Sequence, residues 1–112
     1  MRSDKERSAR IAALNDELRK GHGGGQWVIT SGVQAQSSEF FRAAVKAVQN
    51  FDAFTEENDP HGEHDFGNFE LVGRKFYWKI DLYNSAMDGG SEDPTDPQKT
   101  TRVLTLMLAE DY

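Results

Sequence analysis

The sequence predicts an α+β fold: an antiparallel sheet of about four strands with two helices on one of its faces, in the chain order α-β-α-β-β-β. Three observations carry this expectation. Apolar residues recur at three- and four-residue intervals within residues 11–18 and 41–54. The stretch FYWKIDLY, residues 76–83, alternates apolar and polar positions without a break. Shorter β-rich runs lie on both sides of it, separated by glycine, proline and aspartate.

The elements follow in order. Ser3 as N-cap and Glu6 three residues later form a capping box for the first helix. Ile11, Leu14 and Leu18 make its apolar stripe, and Arg19 and Lys20 suit the negative C-terminal dipole before Gly21 stops it. GHGGG, residues 21–25, looks like a phosphate cradle, but it follows a helix instead of a strand and no Gly-Lys-Ser/Thr comes after it, so it reads as a connector. QWVITSGV, residues 26–33, reads as a strand. Ser37 or Ser38 then caps a second helix whose face carries Phe41, Ala44, Val45, Val48 and Phe51 or Phe54.

After Thr55 the chain is polar and acidic. Asp59-Pro60-His61-Gly62 fits a type I turn. From Phe66 the chain is extended, with Phe69 and Leu71 facing one way, and Gly73 marks a hairpin. In the strand that follows, Phe76, Trp78, Ile80 and Leu82 face one side, and Tyr77, Lys79, Asp81 and Tyr83 the other. Residues 84–99 form a long acidic loop. In TRVLTLMLAEDY, Leu104, Leu106 and Leu108 alternate with Val103, Thr105 and Met107. A helix would also bring Leu104 and Leu108 together, but the Thr and Val content favours a strand.

The chain of 112 residues is read as a single domain, 1–112, with residues 1–3 flexible. Twelve aromatic residues argue against disorder. The absence of cysteine excludes disulfides, thiol nucleophiles and cysteine zinc sites. MRSDKERSAR has no apolar run behind it, and VLTLMLA is too short to span a bilayer, so a cytoplasmic protein is expected.

The net charge is −6, unevenly spread: residues 1–20 hold six Lys/Arg and four Asp/Glu, and the remainder carries −8. Between Lys46 and Arg74 stand seven acids and no Lys or Arg, a field that argues against direct DNA or RNA binding.

Three blocks, NDPHGEHDFG, FYWKIDLY and DPTDPQKTTRVLTLMLAEDY, resemble the signature blocks of a bacterial, mainly alphaproteobacterial, domain-of-unknown-function family, number 3768. The resemblance covers residues 11–112. It implies no activity. It implies that the three blocks belong together and that the genetic setting is mobile DNA. Where the family usually has an aromatic before the long loop, this chain has Leu82.

The densest polar constellation is Asp59, His61, Glu63, His64 and Asp65. Imidazole and carboxylate suit a divalent metal, and Asp81 could add a ligand. The alternative is a structural turn in which Asp59 makes an Asx-turn and His64 packs at the strand entrance. His64 with Asp65 or Asp81 is also a candidate acid–base pair, but no nucleophile accompanies it, and Ser31 has only a neighbouring glycine. The Asp-Phe-Gly triplet at residues 65–67 is a chance match to the kinase element, since the rest of a kinase is missing.

Weak chemistry shifts the expectation to binding. Tyr77, Tyr83, Val103 and Met107 share the sheet face away from Trp78 and Ile80. The acids Glu56, Glu57, Asp59, Glu63, Asp88, Glu92, Asp93 and Asp96 suit a basic partner, for example a nucleic-acid-binding protein whose groove would accept carboxylates in place of phosphates. The expectation is therefore a small acidic, non-enzymatic protein that binds a protein partner, in concrete form a mobile-element counter-defence inhibitor of the anti-CRISPR or anti-restriction kind. The second expectation is a metal-dependent hydrolase or metal-binding module built on His61, Glu63, His64 and Asp65.

Overall fold

The computed structural model describes residues 4–112, so the Ser3 cap and the flexibility expected of residues 1–3 lie outside the described residues. Helix α1 spans Asp4–Arg19, β1 Gln26–Ile29, α2 Ser31–Gln34, α3 Ser38–Gln49, β2 Phe66–Leu71, β3 Arg74–Tyr83 and β4 Thr101–Leu108, followed by a 3₁₀ turn at Ala109–Asp111. The class is α+β, and β4 is a strand.

The four strands stand in the order β1-β4-β3-β2. β2, β3 and β4 pair antiparallel; a two-residue turn joins β2 to β3, and the long loop 84–100 returns the chain from β3 to β4. β1 pairs parallel with β4, so the sheet is mixed where a purely antiparallel one was expected. The cause is topological. Between β1 and β4 the chain crosses the sheet through α2 and α3, enters at the far edge and returns through the β2–β3 hairpin, so β1 and β4 are not joined by a turn that would oppose them.

The first strand is also shorter than expected. It ends at Ile29, and Ser31–Gln34 makes one helical turn because the Thr30 carbonyl accepts from the Val33 and Gln34 amides at 3.1 and 3.0 Å. Ser-Gly has little preference for extended backbone. Ser37 is the N-cap of α3, its hydroxyl accepting from Phe40 N at 3.2 Å. That helix stops at Gln49, so Phe51 and Phe54 lie in the segment beyond it and not on its face.

All three helices lie on one side of the sheet. Leu18 of α1, Val33 of α2, and Ala44 and Val48 of α3 share a core with Phe76, Trp78, Ile80, Leu104, Leu106 and Leu108. Trp78 is its centre. Phe51 and Phe54 meet the indole edge-on at centroid distances of 5.5 and 6.1 Å. Gly67, directly opposite Trp78 in the register, leaves no room for a Cβ against that ring. At the other end Val72 and Gly73 both have positive φ, 49° and 78°, the backbone of a two-residue type I′ hairpin turn.

Candidate functional site

The loop that leads into β2 is organised by Asp59. Its side-chain Oδ1 accepts from the backbone amides of Glu63 and His64 at 3.0 and 3.1 Å, and its own amide donates to Thr55 O at 2.8 Å. Asn58 braces the same turn, with Oδ1 accepting from Thr55 N at 2.9 Å and Nδ2 donating to Ala53 O at 3.0 Å. These bonds bury Asp59, which removes it from the set of surface charges expected to meet a partner.

His64 takes a left-handed backbone, φ 54°, which aims its ring at α1. Nδ1 lies 3.0 and 3.1 Å from the two oxygens of Asp16. An ionised carboxylate only accepts, so that nitrogen carries the proton. Nε2 lies 3.7 Å from Asp59 Oδ2. The imidazole stacks on Phe54, centroids 3.9 Å apart and planes 3° from parallel.

Beneath this pair Arg19 donates to Asp16 Oδ1 at 2.9 Å and to the carbonyls of Val48 and Gln49, both at 3.0 Å, which caps the C-terminus of α3. Its guanidinium lies 5.4 Å from the Phe54 ring centroid and 5.7 Å from that of Trp78. A cleft of about 710 Å³ opens above, lined among others by Asp16, Lys20, His22, Asp52 and His64. Nδ1 of His64 is engaged by Asp16, and Nε2 faces the buried Asp59 carboxylate. The arrangement ties a loop to a helix.

The acid–base pairs expected for His64 are with Asp65 or Asp81. The structure pairs it with Asp16 and Asp59, and Asp81 meets Lys79 at 3.0 Å on the far side of the sheet. His61 lines a separate hollow beside Asp4, Lys5 and Ser8. Among the described residues no group of three or more His, Asp or Glu side chains is placed to hold a metal ion. Burial raises the carboxyl pKa of Glu63, with repulsion from Asp65 second; burial also raises that of Asp65. Asp16 and Arg19 were missed as site residues. Their signal was available: they stand three apart in a helix, and Arg19 adjoins Leu18 of the apolar stripe.

The two acidic loops open from the same end of the sheet. Residues 52–65 enter β2 at Phe66, and residues 84–100 join β3 at Tyr83 to β4 at Thr101; Tyr83 pairs with Thr101 and Phe66 with Lys79. Asn15 links both loops. Its Nδ2 donates to Glu63 O at 2.9 Å, and its Oδ1 accepts from Arg102 Nε at 2.9 Å. Arg102, 2% exposed, also donates to Pro94 O. Desolvation lowers its pKa, and Arg10 adds to the effect.

The acids of the second loop divide. Asp93 accepts from Thr95 Oγ1 at 2.5 Å, a bond that lowers its pKa, and Asp96 accepts from Gln98 N at 2.9 Å. Asp88 accepts from Asn84 Nδ2 at 2.7 Å. Glu56, Glu57 and Glu92 are exposed and, among the described residues, enter no ion pair.

The sheet face away from the helices carries Tyr77, Lys79, Asp81 and Tyr83 from β3, Phe66 and Asn68 from β2, Val103, Thr105 and Met107 from β4, and Val28 from β1. Val103 and Met107 are buried by their neighbours, while the two tyrosines and the Lys79–Asp81 pair stay half-exposed. Tyr112 packs edge-on against Tyr77 at 4.8 Å and reaches Phe66 at 5.9 Å.

The model of a family described as "Protein of unknown function (DUF3768)" matches residues 29–111. That span holds Asp59, His64, both acidic loops and the three antiparallel strands; Asp16 and Arg19 lie ahead of it. No curated protein and no solved structure matches the chain.

Proposed function

We propose, for a chain that belongs to the DUF3768 family of proteins of unknown function, a role in binding a protein partner rather than in catalysis. The observation that supports this reading is the convergence of two carboxylate-rich loops at one end of the sheet. Residues 52–65 and 84–99 hold ten acids and a single cation, Lys99. The partner is a basic, nucleic-acid-binding protein, and the carboxylates stand where its phosphates would. Glu56, Glu57, Asp88 and Glu92 make the contact. Tyr83, which bridges to Gly90, flanks it. Asp59 and Glu63 hold the first loop to its neighbours, and Asp93 and Asp96 shape the second.

In concrete form the reading is a cytoplasmic counter-defence inhibitor of the anti-CRISPR or anti-restriction kind, supported by the acidic end and by the mobile-DNA setting that the family resemblance implies. Nothing in the geometry of residues 59–65 favours the metal-dependent alternative.

The test compares wild type with the triple reversal Glu56→Lys, Glu57→Lys, Glu92→Lys as immobilised bait in lysate from a bacterial host, at low and high salt. Wild type should retain a basic nucleic-acid-binding protein, and both the reversal and high salt should release it. If wild type and the reversed variant retain the same proteins, the reading is wrong.

A further inference from the structure

We infer that the open face of the sheet is where a second copy of this chain docks, by face-to-face packing about a two-fold axis that crosses β3 at Ile80. This surface borders the acidic end at Tyr83 and otherwise uses different residues.

Charge favours a second copy on this face. Two copies at −6 repel each other over most of their surface. The open face is the exception. Its charged side chains are Lys75, Lys79, Glu70 and Asp81, formally neutral in sum.

The face also has the self-complementarity that a two-fold interface requires. Side chains alternate along β3, so Tyr77, Lys79, Asp81 and Tyr83 all point to the open face. An axis across the strand at Ile80 reverses the order of the second copy. It sets Lys79 of each copy opposite Asp81 of the other, and Tyr77 of each opposite Tyr83 of the other. The pattern reads as its own complement: cation to anion and ring to ring. In the single chain Lys79 and Asp81 pair at 3.0 Å with side chains 41% and 35% exposed, so both keep room for a second partner.

The available area is small. Strands of four, six, ten and eight residues, about 4.8 Å apart and rising about 3.4 Å per residue, give a face of roughly 460 Å². Two such faces bury on the order of 900 Å², in the range of weak, transient interfaces, so the dimer dissociates on dilution. Val28, 44% exposed on edge strand β1, marks one border of the patch, and the Tyr112 ring, 70% exposed, lies on the face against Tyr77 and Phe66 and would share the contact.

The experiment is sedimentation velocity over a range of concentrations on wild type, Lys79→Asp, Asp81→Lys and the double swap Lys79→Asp/Asp81→Lys. Wild type should dimerise as concentration rises. Each single variant puts two like-charge pairs in the interface and should weaken the dimer by more than about a hundredfold. The double swap restores opposite charges and should restore the dimer. Circular dichroism checks each fold, and Tyr83→Asp, at the end of β3, replaces any single variant that fails to fold. A wild type that stays monomeric to near-millimolar concentration overturns the inference. So does a dimer that ignores the single reversals, or a double swap that stays monomeric while folded.

Discussion

The two acidic loops have similar composition and opposite anchorage. Residues 50–65 are held from a distance. Phe51 and Phe54 lean on Trp78, His64 reaches Asp16 48 positions away, and Asn15 takes the Glu63 carbonyl. Residues 84–99 are held chiefly by themselves. Asn84 and Asp88 exchange two bonds, Asp93 binds Thr95, and Ser91 meets Thr100 at 2.7 Å. Among the described residues their deep anchor is Arg102 at the Pro94 carbonyl. The difference teaches that a polar loop is ordered either by apolar rings that bind it to the core or by short-range bonds among its own side chains. Only the first kind falls when the core is damaged.

The comparison breaks most clearly at Trp78. Trp78→Ala removes the floor under the first loop and should cost about 3–5 kcal/mol in denaturant unfolding. Hydrogen exchange should rise across residues 51–65 well before it rises in 84–99. Arg102→Ala reverses the pattern. It leaves Asn15 Oδ1 and Pro94 O without their donor, should cost about 2–3 kcal/mol, and should loosen residues 91–100 first, as limited proteolysis would show.

A smaller effect belongs to Asp59→Ala, which strips two backbone amides of their acceptor and should cost about 1–2 kcal/mol. If it costs nothing, the turn is held by its rings alone.

The smallest effect sharpens the comparison through pH. Burial raises the Asp65 carboxyl above its ordinary 3.8, so the folded chain binds this proton more tightly than the unfolded one. Stability from this group is therefore present at low pH and falls as pH rises from about that value to the higher folded one. Asp65→Asn should melt slightly above wild type at pH 7, and the gain should vanish below pH 4. Asp93 has the opposite sign, because its bonds to Thr95 lower its pKa. Asp93→Asn should melt below wild type at pH 7, and that deficit should shrink on acidification.

Short-range patterns determined much of this protein without help. The alternation in residues 76–83 set the two faces of β3, Ser37 set the start of α3, and Asp59-Pro60-His61-Gly62 set the turn before β2. Each rests on bonds or periodicities spanning a few residues. Tertiary structure decided the rest. A two-residue turn forces antiparallel pairing on β2 and β3, but nothing local orients β1, which found β4 from about 75 residues away and pairs parallel with it. Arg19 and Lys20 are adjacent cations at one helix end, yet Arg19 is 2% exposed and Lys20 is exposed, because only Arg19 points at the C-terminus of α3. His64 found its carboxylate on a helix 48 residues earlier and not at the neighbouring Asp65. Backbone preference and side-chain period are written in neighbouring residues. Burial and ion pairing depend on which distant surface arrives, and that is settled only when the core closes.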